Sequence, residues 1–329
     1  MGCFSSREAQ KQPIEVEPVV KPVVEPLEVN SKDMAICIVI FNVCQTKRMM
    51  MNYFYTLNVL KSQGLPIFTL ELVFGDRQPE IQDAIHVRSK SFMFHKERLY
   101  RILETKVPKT YTKLAFLDGD ILFSDPSWYT RASELLETHD VVQAFEQCHW
   151  LDLSYTQKSL SRKSILFMTE KEYSTNYHPG FAWCMQREWY NTNGFFDWAV
   201  SGSGDVLSTA SWLKKPFSKY FKSCPPALKE EYGKYFQLPA PKITYLKDIE
   251  VLHLYHGTRE NRQYVERHKM LEVNENIRNL IILNSDGVFE WKEPEKWNPI
   301  FLTYFKNRND DDTSSSFIEK KADIKKPTS

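Results

Sequence analysis

Between residues 34 and 145, apolar runs of six to eight residues alternate with longer stretches whose apolar residues recur at helical spacing. MAICIVIF at 34–41, IFTLELVF at 67–74, KLAFLD at 113–118 and DVVQAF at 140–145 have the length of core strands. KRMMMNYFYTLNVLKSQG, FMFHKERLYRILETKV and WYTRASELLETH lie between them and read as helices, the first ending at Gly64. This alternation predicts an α/β fold with a mostly parallel central sheet covered by helices on both faces. Ligands of such sheets bind beyond the carboxyl ends of the strands.

The folded body this pattern predicts spans residues 33–308 as a single catalytic domain. It is preceded by QPIEVEPVVKPVVEPLEV, whose four prolines favour an extended spacer over helix or central strand. It is followed from residue 309 by a charged, Ser-rich tail with the composition of a disordered segment. With 42% apolar residues among 329, the chain can bury a sizeable core, and its formal charge of +1 points away from a nucleic-acid partner. The six cysteines contain no CxxC pair, which favours a reducing compartment over a disulfide framework or zinc site. Met34–Cys44 is too short to span a bilayer and contains Asn42. The start, MGCFSS, fits myristoylation at Gly2, with Cys3 a palmitoylation site beside it. Two acyl chains would hold the body on the cytosolic face of a membrane, where one chain binds only marginally.

Two acids, Asp118 and Asp120, interrupt the apolar sequence KLAFLDGDILF. A tight turn, a metal site and an acid pair acting on a substrate each account for them. Their place at a strand's carboxyl end weakens the first account. Paired carboxylates stay ionised most easily around a hard divalent cation, Mn²⁺ or Mg²⁺. His253 and His256 end another strand before Gly257; strand alternation turns them to opposite sides, so one ligand is expected of the two. Arg259 and Arg262 follow, suited to phosphate oxygens. Within residues 178–210, GSGDVL lacks the glycines and the position of a dinucleotide fingerprint, and no Walker A loop occurs. Asp205 begins a helix there, a place compatible with both a cap and a general base.

In HKERLYRILETKVPKTYTKLAFLDGDILF, VVQAFE, HPGFAWCMQREWY, GFFDWAVSGSGD, HLYHGTRENRQYVERHKML and YFKNRNDDD, taken in order, the chain resembles nucleotide-sugar-dependent glycosyltransferases of the GT-A fold. The closest resemblance is to a family-2-like group of bacteria and large DNA viruses. It implies an α/β/α sandwich that takes a nucleotide-diphosphate sugar as donor and a glycan or protein hydroxyl as acceptor. It implies Asp118 at the ribose or metal, Asp120 on the metal, His256 as further ligand with His253 as fallback, and Asp205 as base. It further implies Gly180 and Trp183 along the sugar and acceptor cleft, and Phe41, Asn42, Arg48, Glu71, Lys96 and Arg98 near the nucleotide. The usual acid pair reads NDDD here and receives no role. One base without a second carboxylate nucleophile favours inversion. Two rivals use the same residues: a metal-dependent nucleotidyl- or phosphotransferase, and a non-catalytic lipid-anchored adaptor.

Overall fold

The computed structural model describes residues 32–217 and 224–312. The acylation expected at Gly2 and Cys3 and the proline spacer before Lys32 lie outside them. Thirteen strands are present among the described residues: β1 (Met34–Ile40), β2 (Ile67–Phe74), β3 (Ile85–Ser89), β4 (Lys113–Leu117), β5 (Ile121–Phe123), β6 (Val141–Gln143), β7 (Gln147–Leu151), β8 (Lys158–Lys163), β9 (Ala182–Gln186), β10 (Ile243–Tyr245), β11 (Glu250–His253), β12 (Ile281–Leu283) and β13 (Phe289–Trp291). The helices that position the site are α1 (Lys47–Ser62), α2 (Lys96–Lys106), α3 (Trp128–Leu136), α4 (Arg187–Thr192) and α5 (Gly204–Trp212).

Seven strands form the central sheet in the order β10-β6-β9-β4-β1-β2-β3. Every neighbouring pair is parallel except those of β9, which runs antiparallel to both β4 and β6. β1 is buried on both faces, which is why it reads as an unbroken apolar run. Ala35, Cys37 and Val39 pack with Leu99 and Leu103 of α2, while Ile36, Ile38 and Ile40 pack with Tyr53 of α1 and Trp128 of α3. Helices therefore cover both faces of the sheet, as the alternation predicts.

A second sheet, β5-β11-β7-β8, stands beyond the carboxyl end of the first and was not foreseen; its strands are short, and β8 is half exposed. Its join to the central sheet is the turn from β4 to β5, residues 118–120. The antiparallel β9 also went unforeseen, because its sequence lies inside a block read as cleft lining. Trp183, expected along the cleft, lies on this strand and borders a small space with Asp118, Gly180 and Asp205. It sits on β9 facing the α2 and α5 side, 3% exposed, with its ring 5.1 Å from that of Trp212. Its Nε1 donates to the Pro179 carbonyl at 2.8 Å, so it is a core residue beneath the cleft.

Residues 309–312, expected in the tail, belong to the folded body. The N-cap residue of α1, Thr46, makes no side-chain cap. The Asp311 carboxylate does so from across the chain, accepting from Arg48 N at 2.8 Å and Lys47 N at 3.3 Å. Asp312 accepts from the Tyr255 hydroxyl at 3.0 Å.

Candidate functional site

The turn 118–120 is tight because Gly119 lies against β1; a Cβ there would stand 2.9 Å from Ile40 Cδ1. Two backbone bonds aim its acids. Asp118 N donates to the Phe181 carbonyl and Leu254 N donates to the Asp120 carbonyl, each at 2.8 Å. The second bond ends β11 and turns the chain, so that His256 returns toward the position His253 already occupies. Asp120 Oδ2 is then 2.8 Å from His256 Nε2 and 3.5 Å from His253 Nε2. The three ligand atoms lie within 4.8 Å of one another. Both histidines therefore join the site, against the expectation of one, because alternation ends where the strand ends.

Electrostatics favour a cation at this point. Burial works to raise the Asp120 pKa, yet His253, His256 and Arg262 hold it well below the usual carboxylate range. Burial pushes His253 down to about 3, leaving a neutral imidazole with a free lone pair to offer. A positive group is drawn to the same spot: Arg262 Nη2 donates to His256 Nε2 at 2.7 Å and to the His256 carbonyl at 3.1 Å. A carboxylate with two imidazoles fits a divalent cation. The mixed nitrogen and oxygen set suits Mn²⁺ better than Mg²⁺, which prefers oxygen and water.

Asp310, given no role by the sequence, supports this triad from behind. Its Oδ1 lies 3.3 Å from His256 Nδ1, and its Oδ2 accepts from Arg308 at 3.1 Å. Carboxylates in this place fix the orientation of a ligating imidazole. Burial opposes its ionisation, but Arg308 and His256 bring its pKa down to about 2. Asp118 stands apart from the triad and pairs with Lys96 Nζ at 3.1 Å. Burial raises its pKa, with Lys96 opposing and Asp120 reinforcing.

Across the cleft, Asp205 occupies the first turn of α5, and its Oδ1 accepts from Val206 N at 2.8 Å. The turn before it places Ser203 in the left-handed region, at φ 66°. Gly180 is what admits the other carboxylate oxygen. A Cβ at 180 would lie 2.6 Å from Asp205 Oδ2 and 3.3 Å from His178 Nε2. His178 Nε2 is buried and has no hydrogen-bond partner. Glu97, also missed by sequence reasoning, lies under the helix start and is 6% exposed. Its carboxylate would meet a Cβ at Gly204 within 2.2–2.6 Å, and burial, opposed by Lys96 and aided by Asp205, raises its pKa to about 7. Glu97 sits in no pattern that would mark it and is brought in by long-range packing, whereas His178 lies two residues from Gly180 and only its approach to Asp205 is long-range.

These groups line one cleft of about 610 Å³, together with Phe41 and Asn42 at the end of β1 and Lys96 at the start of α2. Arg162, Arg259, Arg262, Arg267 and Arg308 also face it. Three residues expected at the nucleotide do not line it. Arg98, two positions after Lys96 on α2, points away and binds Asp197 Oδ2 at 3.1 Å and the Gly287 carbonyl at 2.7 Å. Glu71 accepts from Glu80 N at 2.8 Å and Ile81 N at 2.9 Å, capping a turn. Arg48 lies beside the Tyr155 hydroxyl at 3.3 Å and over the Tyr255 ring.

No protein-family model matches the chain, and no curated protein does. Among solved structures, the chain is similar to a mutant Drosophila β1,4-galactosyltransferase 7 in complex with manganese, UDP-Gal and xylobiose. That match has 12% identity and a TM-score of 0.38, covering 82% of this chain and 98% of the other. It is also similar to glucosyl-3-phosphoglycerate synthase from Mycobacterium tuberculosis in complex with Mn²⁺, UDP-glucose and phosphoglyceric acid. Here identity is 11% and the TM-score 0.37, covering 73% of this chain and 78% of the other. TM-scores this low carry no weight for activity, which is judged from the chain's own geometry.

Proposed function

We propose that this chain is a metal-dependent glycosyltransferase that moves a sugar from a nucleotide-diphosphate sugar to an acceptor hydroxyl, with inversion. The observation that supports it best is one cleft holding the triad Asp120–His253–His256 on one wall and Asp205 on the other. Asp120, His253 and His256 would hold a divalent cation, which when bound would supply a Lewis acid for the departing diphosphate. Arg262, Arg267 and Arg308, each with a buried Nε lacking a partner, provide donors for its phosphate oxygens. Asp205 takes the proton from the acceptor hydroxyl as its oxygen bonds to the anomeric carbon. The bond from that carbon to the diphosphate oxygen breaks with its electron pair leaving on the nucleotide. Lys96 holds Asp118 beside the donor. Glu97 lines the cleft but is only 6% exposed, its carboxylate packed against Gly204, which favours single displacement over a covalent intermediate.

Incubation of the full chain with Mn²⁺ and a panel of nucleotide sugars tests this reading, with products followed by NMR. Release of nucleoside diphosphate together with a sugar of inverted anomeric configuration is expected. Release of nucleoside monophosphate and sugar phosphate would favour the nucleotidyl- or phosphotransferase rival, and no turnover with any donor the adaptor. A strict requirement for iron would overturn the proposed metal. The membrane part of the reading rests on MGCFSS alone. Gly2→Ala should move the protein to the soluble fraction of eukaryotic cells, and unchanged fractionation would refute the anchor. No helix of the described residues is long and apolar enough to cross a membrane.

A further inference from the structure

The cleft has a second cationic cluster, set over Trp150, whose ring lies 6.1 Å from that of His253 in the metal triad. Arg162, on β8 of the second sheet, and Arg259, in the loop after β11, both line it. Neither forms an ion pair with a carboxylate among the described residues. The Arg162 guanidinium instead donates to the Thr175 carbonyl at 2.6 Å, while Arg259 lies 5.5 Å over the Trp150 ring. The two cations feel one another: burial lowers the Arg162 pKa, and Arg259 lowers it further. With Arg162 half-buried and Arg259 exposed, two guanidinium groups with no acid between them offer a ready binding place to an anion entering the cleft.

Backbone and ring contacts tie this cluster to the transfer side as well as to the triad. Thr175, which anchors Arg162, belongs to the segment leading to His178 and Gly180. The Trp150 ring beneath Arg259 meets the His178 ring edge-on at 4.9 Å. His178 Nε2, buried and unpartnered, lies with Asp205 Oδ2 against the bare face of Gly180, and both residues line the cleft. A run of groups thus leads from the base outward to the arginine pair. The donor diphosphate has its own cations in Arg262, Arg267 and Arg308 nearer the triad.

We infer that the acceptor is an anion. Its phosphate or carboxylate docks between Arg162 and Arg259, and its attacking hydroxyl reaches Asp205 from the cleft, on the side where His178 lies. This inference rests on the glycosyl-transfer reading and names the class of acceptor that the site takes.

The test uses the full chain loaded with Mn²⁺ and either UDP or GDP, titrated with glucose, glucose 6-phosphate and glucuronate by ligand-observed NMR. At least one charged sugar should bind roughly tenfold or more tightly than glucose, and which one identifies the anion. The double variant Arg162→Ala/Arg259→Ala should reduce it to the level of glucose, and Arg162→Lys/Arg259→Lys should restore part of the preference. Affinity for Mn²⁺ and nucleotide should stay within about twofold of the parent in both variants. Equal binding of all three sugars overturns the inference alone. So does a tenfold loss of nucleotide affinity in the alanine variant, which would give the pair to the donor. A parent chain that binds neither nucleotide with Mn²⁺ overturns this inference and the glycosyl-transfer reading together.

Discussion

The two walls of the cleft balance their charges in opposite ways. On the triad wall Asp120, His253, His256, Arg262, Asp310 and Arg308 meet one another at 2.7–3.5 Å, acid against base. On the transfer wall His178 Nε2 has no partner, and Arg162 stands near another cation rather than an acid. Buried polar groups in folded proteins are nearly always paired. The three metal ligands are thus already held by partners, with the Nε atoms of Arg262 and Arg308 left open beside them for the donor, whereas the transfer wall has a histidine nitrogen and two arginines with no acid to meet. Substitutions on the two walls should therefore fail differently.

The largest effect is expected on the triad wall. Asp120→Ala removes the one carboxylate among the three ligands, so Mn²⁺-dependent nucleotide binding should disappear and turnover fall by roughly 10³-fold or more, the worth of several kcal/mol of charge stabilisation. Calorimetric titration with Mn²⁺ and nucleoside diphosphate checks it. Undiminished binding would show that the triad is a structural charge network only.

The transfer wall should lose chemistry without losing the donor. Asp205→Asn keeps the side chain's shape and its bond to Val206 N. Turnover should fall by about 10²–10⁴-fold, the usual worth of a positioned base, while nucleotide and metal affinities hold. Loss of nucleotide binding in this variant would merge the two walls into one site. Near-normal turnover would reduce Asp205 to a helix-start acid.

A third substitution sets the cleft against the surface behind it. Arg98 and Lys96 share a short sequence but face opposite ways, and Arg98 pairs with Asp197 where both side chains are mostly buried. Arg98→Ala should leave nucleotide affinity unchanged and destabilise the fold by about 1–2 kcal/mol, less than a broken buried pair because Arg101 still binds Asp197 at 3.1 Å. Urea unfolding measures the one and nucleotide titration the other. A variant of parental stability that binds nucleotide poorly would return Arg98 to the cleft.

These contrasts also show what the sequence makes legible. β1, β2 and β4 are buried runs with few polar residues, so their strands and the acids that end β4 stand out. His253 and His256 are legible as candidates for the same reason, and only the turn made by Leu254 N reveals that both converge. The misplacement of Arg98 was avoidable, since residues two apart on a helix do not share a face. Glu71 reads as a strand-end acid, and nothing nearby in sequence shows that the backbone at 80–81 claims it. Asp310 is hidden in a run of three acids resembling a solvated tail. Glu97 becomes distinctive only through Gly204, a residue distant in sequence whose missing side chain gives it room, and His178 only through Asp205, which meets it over the neighbouring Gly180.

Glu97 gives the finest test of how the transfer wall is balanced. Its folded pKa of about 7 lies above its ordinary 4.5 because burial disfavours the charged form. Between those values the folded chain keeps a proton that the unfolded chain releases. Its contribution is therefore present at low pH and lost as pH rises through 7. Glu97→Gln stays neutral throughout and can occupy the same space against Gly204. The parent should lose on the order of 2 kcal/mol relative to the variant between pH 5 and 8, with most of the divergence complete by pH 7. Urea unfolding of both proteins at several pH values, without added metal, measures it. If the two curves run parallel, Lys96 keeps Glu97 ionised across the range, and the transfer wall would then hold a paired charge beneath its unpaired ones.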